Sequence, residues 1–265
     1  MAIRIVDEPI KDTYKEQLTV PANNATRNVF PVRFGWGEIL IEPAAAMVLG
    51  LAPRIQALWF YDASATPKWV NLLDGDMAII NRHVGGDTGT NLDAMQTADY
   101  IYVGLLETCL GLYVDMDAGT VNANAATIAG GYSKNNNTFA ALSISSDGTA
   151  SGGATLAADG LIVWTVPTDW GKFSLADVLA DAGAPSAVLR WVRLSVSAAL
   201  SADVEIEQMA ALHTPAVVGD VTTAPGMFNK ANQEYTIDLS DEVGALEVIA
   251  QAAAGTTVKV SWIKR

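Results

Sequence analysis

The sequence predicts an all-β protein: an antiparallel β-sandwich or jelly roll with an extended N-terminal arm and a small C-terminal β element. Runs of about four to eight residues rich in Val, Ile, Leu and aromatic residues recur along the chain, separated by Gly, Asn, Asp or Pro. This is the pattern of strands joined by turns. Helical stretches between these runs are few, which argues against a doubly wound α/β fold.

Several predicted strands alternate between apolar and polar residues, as antiparallel strands do when they bury one face. Val204 and Ile206 would face a core, and so would Val258, Val260 and Trp262. The predicted strands are Asn28 to Phe34, Glu38 to Ile41, Gln56 to Tyr61, Trp69 to Leu73, Tyr100 to Leu105, Gly111 to Met116, Ala126 to Tyr132, Gly160 to Val166, Leu189 to Ser197, Asp203 to Leu212, Tyr235 to Leu239, Leu246 to Gln251 and Thr257 to Ile263.

Two short segments predict helix. Ser174 to Ala180 would form two turns, with Ser174 as the N-cap and Gly183 beyond the end. Pro43 to Leu51 is the second candidate.

The chain divides into three predicted regions. Residues 1–27 read as an extended arm that orders against a neighbouring subunit, and residues 28–214 carry nearly continuous strand signals of a sandwich body. Residues 215–265 form a C-terminal β element, which either completes the main sheet or makes a separate small lobe.

Composition limits the classes of partner. Sixteen Lys and Arg against 29 Asp and Glu give a net charge of −13, which disfavours binding to nucleic acid because phosphates are bound mainly by basic side chains. Cys109 is the only cysteine, so no intrachain disulfide forms and a reducing cytoplasm suits folding. We find neither a signal-peptide pattern nor an apolar run of about 20 residues, so we expect neither secretion nor membrane insertion.

A series of motifs follows in order between Tyr100 and Leu212: Tyr100-Ile101-Tyr102-Val103-Gly104, Gly111-Leu112-Tyr113-Val114-Asp115, Val121-Asn122-Ala123-Asn124-Ala125-Ala126-Thr127, Ser146-Asp147-Gly148-Thr149, Ile162-Val163-Trp164-Thr165-Val166-Pro167-Thr168-Asp169-Trp170 and Trp191-Val192-Arg193-Leu194-Ser195-Val196-Ser197. Through this series the segment resembles a β-sandwich module of tailed-bacteriophage structural proteins. The segment from Ala129 to Phe139 departs from that family, in which a strand with Tyr-Trp, a short turn and another Trp are expected.

The resemblance implies a non-enzymatic virion protein on the outer surface of the particle, made in the cytoplasm of the bacterial host. The first hypothesis is a capsid decoration or cement protein that contacts the major capsid protein and copies of itself as a homo-oligomer. A second places the chain in the tail or baseplate, among tail proteins. A third, of another class, is a module that binds host glycans, and a fourth is a polysaccharide-degrading enzyme, which needs a carboxylate pair.

Three tryptophans have two possible roles, in the core or on a binding surface. Trp164, Trp170 and Trp191 are predicted to be buried, because large aromatic side chains contribute most to a sandwich core. The alternative is a carbohydrate platform, in which an exposed Trp stacks on a sugar and Asp169 accepts hydrogen bonds from its hydroxyls.

Few residues suggest chemistry, and we predict no catalytic, cofactor or metal residues. Asp115 and Asp117 precede Gly119 and have the spacing of a weak calcium site, but a strand-ending turn is the simpler interpretation. Plain structural roles are also predicted for the Asp74-Gly75-Asp76 turn, the chain-exit residue His213 and buried Cys109. His83 has no partner at the spacing that zinc binding or acid-base catalysis needs. Gly85 to Thr90 read as a mobile loop, and this loop, Asn135 to Asn137 and Ser151 to Gly153 are the expected places for subunit or host contacts.

Overall fold

A computed structural model describes residues 13–20, 28–31, 36–44, 47–73, 92, 94–117, 119–212, 235–238, 243–250 and 256–264. These residues are nearly all in strands and turns. In chain order the elements are β1 (Thr13–Val20), β2 (Asn28–Pro31), β3 (Trp36–Pro43), β4 (Met47–Pro53), β5 (Ile55–Tyr61), β6 (Trp69–Asn71), β7 (Tyr100–Leu105), β8 (Gly111–Met116), β9 (Ile128–Ser133), β10 (Phe139–Leu142), β11 (Ile144–Asp147), β12 (Gly160–Trp164), β13 (Phe173–Ser174), α1 (Leu175–Leu179), β14 (Val188–Val196), β15 (Ile206–Ala211), β16 (Tyr235–Asp238), β17 (Val243–Ala250) and β18 (Thr256–Lys264).

Two antiparallel sheets form a β-sandwich. One has seven strands in the order β10-β9-β14-β7-β5-β6, with β13 paired to β14, and the other has the order β11-β12-β8-β15. Leu58, Val103 and Val192 of the first sheet pack in one buried cluster with Val114 and Ile162 of the second. The predicted all-β sandwich is therefore confirmed, whereas the jelly-roll connectivity stays a prediction.

Strands from the two ends of the chain pair with each other in two further sheets, β1-β18-β3-β16 and β2-β17-β4. Residues 13–20, which the sequence assigned to an arm, pair along their whole length with the chain's own C-terminal strand, from Thr13↔Ile263 to Val20↔Thr256. β15 of the sandwich lies beside β2, β4 and β17.

The predicted helix from Pro43 to Leu51 is wrong, because Met47–Pro53 form strand β4. β4 pairs with β17 in an antiparallel ladder from Ala250↔Met47 to Val243↔Pro53. Alanine-rich sequence favours helix only weakly, and pairing with a distant strand overrides that preference. The helix at Ser174 is confirmed: the Ser174 side chain caps α1 by accepting a hydrogen bond from the Asp177 amide at 3.4 Å.

The alternation predicted at Val204 and Ile206 is confirmed, because both are buried whereas Glu205 and Glu207 are partly exposed. The side chains of Val258, Val260 and Trp262 lie outside the described residues, although the backbone of their strand is described.

A second apolar cluster covers part of the outer face of the seven-stranded sheet. Trp191 of β14 is fully buried there beneath Phe173 and Leu175, and its indole nitrogen donates to the Phe173 carbonyl at 2.8 Å. β7 makes room for the indole with Gly104, which pairs with Trp191 across the sheet. A Cβ at Gly104 would lie 2.8 Å from Cζ3 of Trp191 and 2.7 Å from Cδ1 of Leu189.

Gly104→Ala is therefore expected to lower the free energy of unfolding by about 1–3 kcal/mol through overpacking. The cost should be about 1 kcal/mol smaller in a Trp191→Phe background, which removes the ring atoms nearest Gly104. Urea unfolding of the four proteins of this cycle measures both values. Equal costs in the two backgrounds would mean that the indole does not fill the space above Gly104.

Candidate functional site

The second apolar cluster continues across the outer face of the seven-stranded sheet as aromatic side chains, of which Tyr102 is buried and the others are partly buried. Trp59 pairs with Tyr102 and Tyr61 pairs with Tyr100 across β5 and β7, so all four rings lie on the same side of the sheet. The Tyr100 and Tyr102 ring centroids are 5.8 Å apart, and Phe139 of β10 contacts Tyr102 edge-on at 5.9 Å. The face combines large rings with a few polar groups.

A pocket of about 230 Å³ opens on this face beside Arg193 of β14. The guanidinium carbon of Arg193 lies 4.4 Å from the ring centroid of Phe139 and 5.0 Å from that of Tyr100. Such cation–π contacts hold a planar guanidinium against aromatic surface. Burial raises the pKa of the nearby Tyr102 to about 12, and the positive charge of Arg193 opposes that rise.

Glycine in β9 creates the space that Arg193 occupies. Gly131 pairs with Arg193 across the sheet, and a Cβ at Gly131 would lie 2.9 Å from Nε of Arg193. Ser195, two residues further along β14, faces the same pocket. The segment from Ala129 to Phe139 thus supplies Gly131 and Phe139 to the pocket.

Sequence reasoning missed this pocket. The alternation of Trp191, Arg193 and Ser195 in β14 already placed a cation on the face opposite Val192 and Leu194. What the sequence did not give was the register that sets Arg193 opposite Gly131 and Tyr102.

The three tryptophans singled out in the sequence are all buried, as predicted: Trp164 is 1% exposed, Trp170 3% and Trp191 0%. None of them can stack on a ligand, so the carbohydrate platform built on them is wrong. Asp169 is engaged within the chain, because its carboxylate accepts a hydrogen bond from the Tyr132 hydroxyl at 2.8 Å and pairs with Lys134 at 3.1 Å. These two contacts, the tyrosine bond first, lower the pKa of Asp169.

Two of the polar motifs behind the family resemblance meet in a network of loops at one end of the sandwich. Asn122 is buried, and its amide makes four hydrogen bonds of 2.9–3.0 Å, to the backbone of Asn124, Thr155 and Ser201. Asp147 accepts bonds of 2.6 Å from the hydroxyls of Thr149 and Thr155. Both residues therefore fasten loops rather than face a ligand.

Asp115 and Asp117, for which a strand-ending turn was predicted and a weak calcium site was the alternative, make separate contacts. Asp117 accepts a hydrogen bond from the Thr120 hydroxyl at 3.1 Å in the turn that follows β8. Asp115 instead interacts with Asp159 and Glu207. Burial first, then the charges of these two carboxylates, raise the pKa of Asp115 to about 6. Within the described part of the chain, no group of three or more His, Cys, Asp or Glu could hold a metal ion.

The other residues singled out in the sequence are buried or lie in exposed turns, or they fall outside the described residues. Cys109 is fully buried, as predicted, and its carbonyl accepts a hydrogen bond from the Trp164 indole at 2.9 Å. Asn135 to Asn137 and Ser151 to Gly153 are exposed turns. The residues outside are Asp74 to Asp76, His83, Gly85 to Thr90 and His213.

The chain matches no protein-family model and no curated protein. The ranges that the structure describes contain no helix with the length and apolarity needed to cross a membrane.

Asn122→Ala is expected to lower the free energy of unfolding by about 2–4 kcal/mol, because it leaves buried backbone groups of Thr155 and Ser201 without partners. Asn124→Ala is the matched control. The Asn124 side chain is exposed and donates one 3.2 Å bond to Ala199, so its loss should cost less than about 1 kcal/mol. Similar costs for the two variants in urea unfolding would contradict a fastening role for Asn122.

Asp115→Asn is expected to stabilise the protein at neutral pH. A carboxyl group whose pKa is raised in the fold favours folding while protonated, and that contribution is lost as the pH rises from the unfolded value of 3.8 through about 6. Removing the charge should add about 1 kcal/mol near pH 7.5, since the site is partly solvated, and almost nothing near pH 4.

Unfolding in urea at the two pH values measures this difference. Glu107→Gln, which removes an exposed carboxylate, is the control and should change stability little at either pH. A pH-independent effect of Asp115→Asn would rule out the charge as its cause.

Proposed function

We propose that this chain is a structural protein of a tailed-bacteriophage virion that decorates the outer surface of the capsid. The observation that carries the proposal is the position of the resembling segment. Tyr100 to Leu212 supply every strand from β7 to β15, which are all of the sheet β11-β12-β8-β15 and all of the seven-stranded sheet except β5 and β6. The resembling segment thus forms most of the sandwich rather than scattered elements.

The role of the shared motifs also favours a structural protein. Asn122 and Asp147 both form hydrogen bonds with Thr155 and so connect their segments of the chain. Trp164 and Trp191 are core residues whose indole nitrogens donate hydrogen bonds to backbone carbonyls. Side chains used in this way maintain a rigid shape. A protein that acts by shape complementarity needs such rigidity.

The charge of the chain suits the outside of a DNA container. At −13 the surface is not attracted to packaged phosphates, and an acidic exterior helps keep particles apart in solution. The function would be thermodynamic: a protein that binds only the assembled shell stabilises that shell by mass action, with apolar surface buried across the joints between subunits.

Imaging of the purified particle at a resolution that traces the chain tests the proposal. We expect many copies arranged with icosahedral symmetry on the outside of the head. Particles assembled without the chain should release DNA at a lower temperature, and addition of the purified chain should restore the original value. A few copies in a ring at the tail, or absence from the particle, would contradict the decoration role.

A further inference from the structure

We propose that the pocket beside Arg193 binds an acidic monosaccharide unit through its carboxylate. The site consists of Tyr100, Gly131, Phe139, Arg193 and Ser195 on the outer face of the seven-stranded sheet. This inference is independent of the virion role, because it rests on the geometry of one pocket in the isolated chain.

Arg193 carries a positive charge that no described carboxylate neutralises, and its guanidinium interacts with the Tyr102 hydroxyl. In the described part of the chain the ion pairs are Lys68–Asp181, Lys134–Asp169 and Lys259–Glu42, and Arg193 has no carboxylate partner there. Its guanidinium is half-buried and held against the Phe139 and Tyr100 rings. A fixed guanidinium presents a planar fork of N–H donors that matches a carboxylate.

The pocket wall also carries two hydroxyl groups that can bind a ligand. Tyr100 and Ser195 each place a hydroxyl-bearing side chain there, and neither hydroxyl forms a hydrogen bond with another described residue. Each hydroxyl can donate and accept. A ligand that carries both a carboxylate and several hydroxyls would satisfy the guanidinium and these two groups together.

The volume of the pocket limits the size of the ligand. About 230 Å³ is below the roughly 300–1,000 Å³ of pockets that enclose drug-sized ligands. The space therefore suits one sugar ring, with the exposed edges of Phe139 and Tyr100 against its C–H surface. Because the chain carries −13, long-range attraction does not bring anions to the site, and recognition depends on these short contacts.

Titration of the purified full chain, followed by NMR, tests the proposal with D-glucuronate, D-glucose and acetate as probes. Glucuronate should bind at least about tenfold more tightly than either of the others, since only glucuronate makes both the charge-assisted hydrogen bonds and the contacts with the sugar ring. Equal binding of glucose would overturn the role of the carboxylate. Equal binding of acetate would overturn the sugar, and no binding of glucuronate would overturn the site.

Substitutions of pocket residues test whether glucuronate binds in the pocket. Arg193→Gln should weaken glucuronate at least about tenfold, and Arg193→Lys, which keeps the charge but loses the fork, should lie between it and the unaltered chain. Ser195→Ala should weaken glucuronate while leaving acetate unchanged. The control is Lys172→Gln, which removes an exposed cation outside the pocket and should not change the affinity.

Arg193 also packs on two rings, so thermal unfolding must show that each variant remains folded. If Arg193→Gln does not fold, Ser195→Ala and Arg193→Lys still decide the outcome. Unchanged glucuronate affinity in both would contradict the proposal. None of these results bears on the virion role, which depends on where the chain lies in the particle.

Discussion

The structure depends on the burial of β14 on both of its faces. Val192 and Leu194 point into the core between the two sheets, and Leu189 and Trp191 point to the opposite side, where β13 and α1 cover them. β14 also pairs with β7 and β9 along its length. A strand that is enclosed above, below and on both edges fixes the register of its neighbours, because a slip by one residue would exchange every inward and outward side chain.

The same strand explains where the outer face becomes accessible. The cover formed by Phe173 and Leu175 lies over Trp191 and ends before Arg193. Beyond that point the outward positions of β14 change from apolar to polar, and the opposing residue of β9 is Gly131. The pocket is therefore a consequence of a cover that spans only part of the sheet, with a glycine that leaves room for a long cationic side chain.

Local alternation made the central strands predictable. Tyr100–Leu105 and Gly111–Met116 have the boundaries that the sequence gives them, because turn residues flank each apolar run. β1 and β4 were missed because their partners lie far away in the chain, about 240 residues for β18 and about 200 for β17, so nothing local marks them as strands. The pocket could not be predicted for the same reason: it requires knowing which residues of β7, β9, β10 and β14 stand side by side.

The polar residues of the resembling motifs also illustrate why pattern and function must be separated. In the sequence, Asn122 and Asp147 are polar residues of two resembling motifs, each in a stretch rich in Asn, Ser or Thr. In the structure both side chains form hydrogen bonds with backbone and hydroxyl groups of neighbouring loops. Arg193 is the opposite case, because its charge lacks a carboxylate partner among the described residues. A side chain whose polar groups are already satisfied maintains the fold, whereas a fixed charge without a counterion is available to a ligand. This difference, rather than residue type, indicates that the outer face of the seven-stranded sheet is the candidate binding surface.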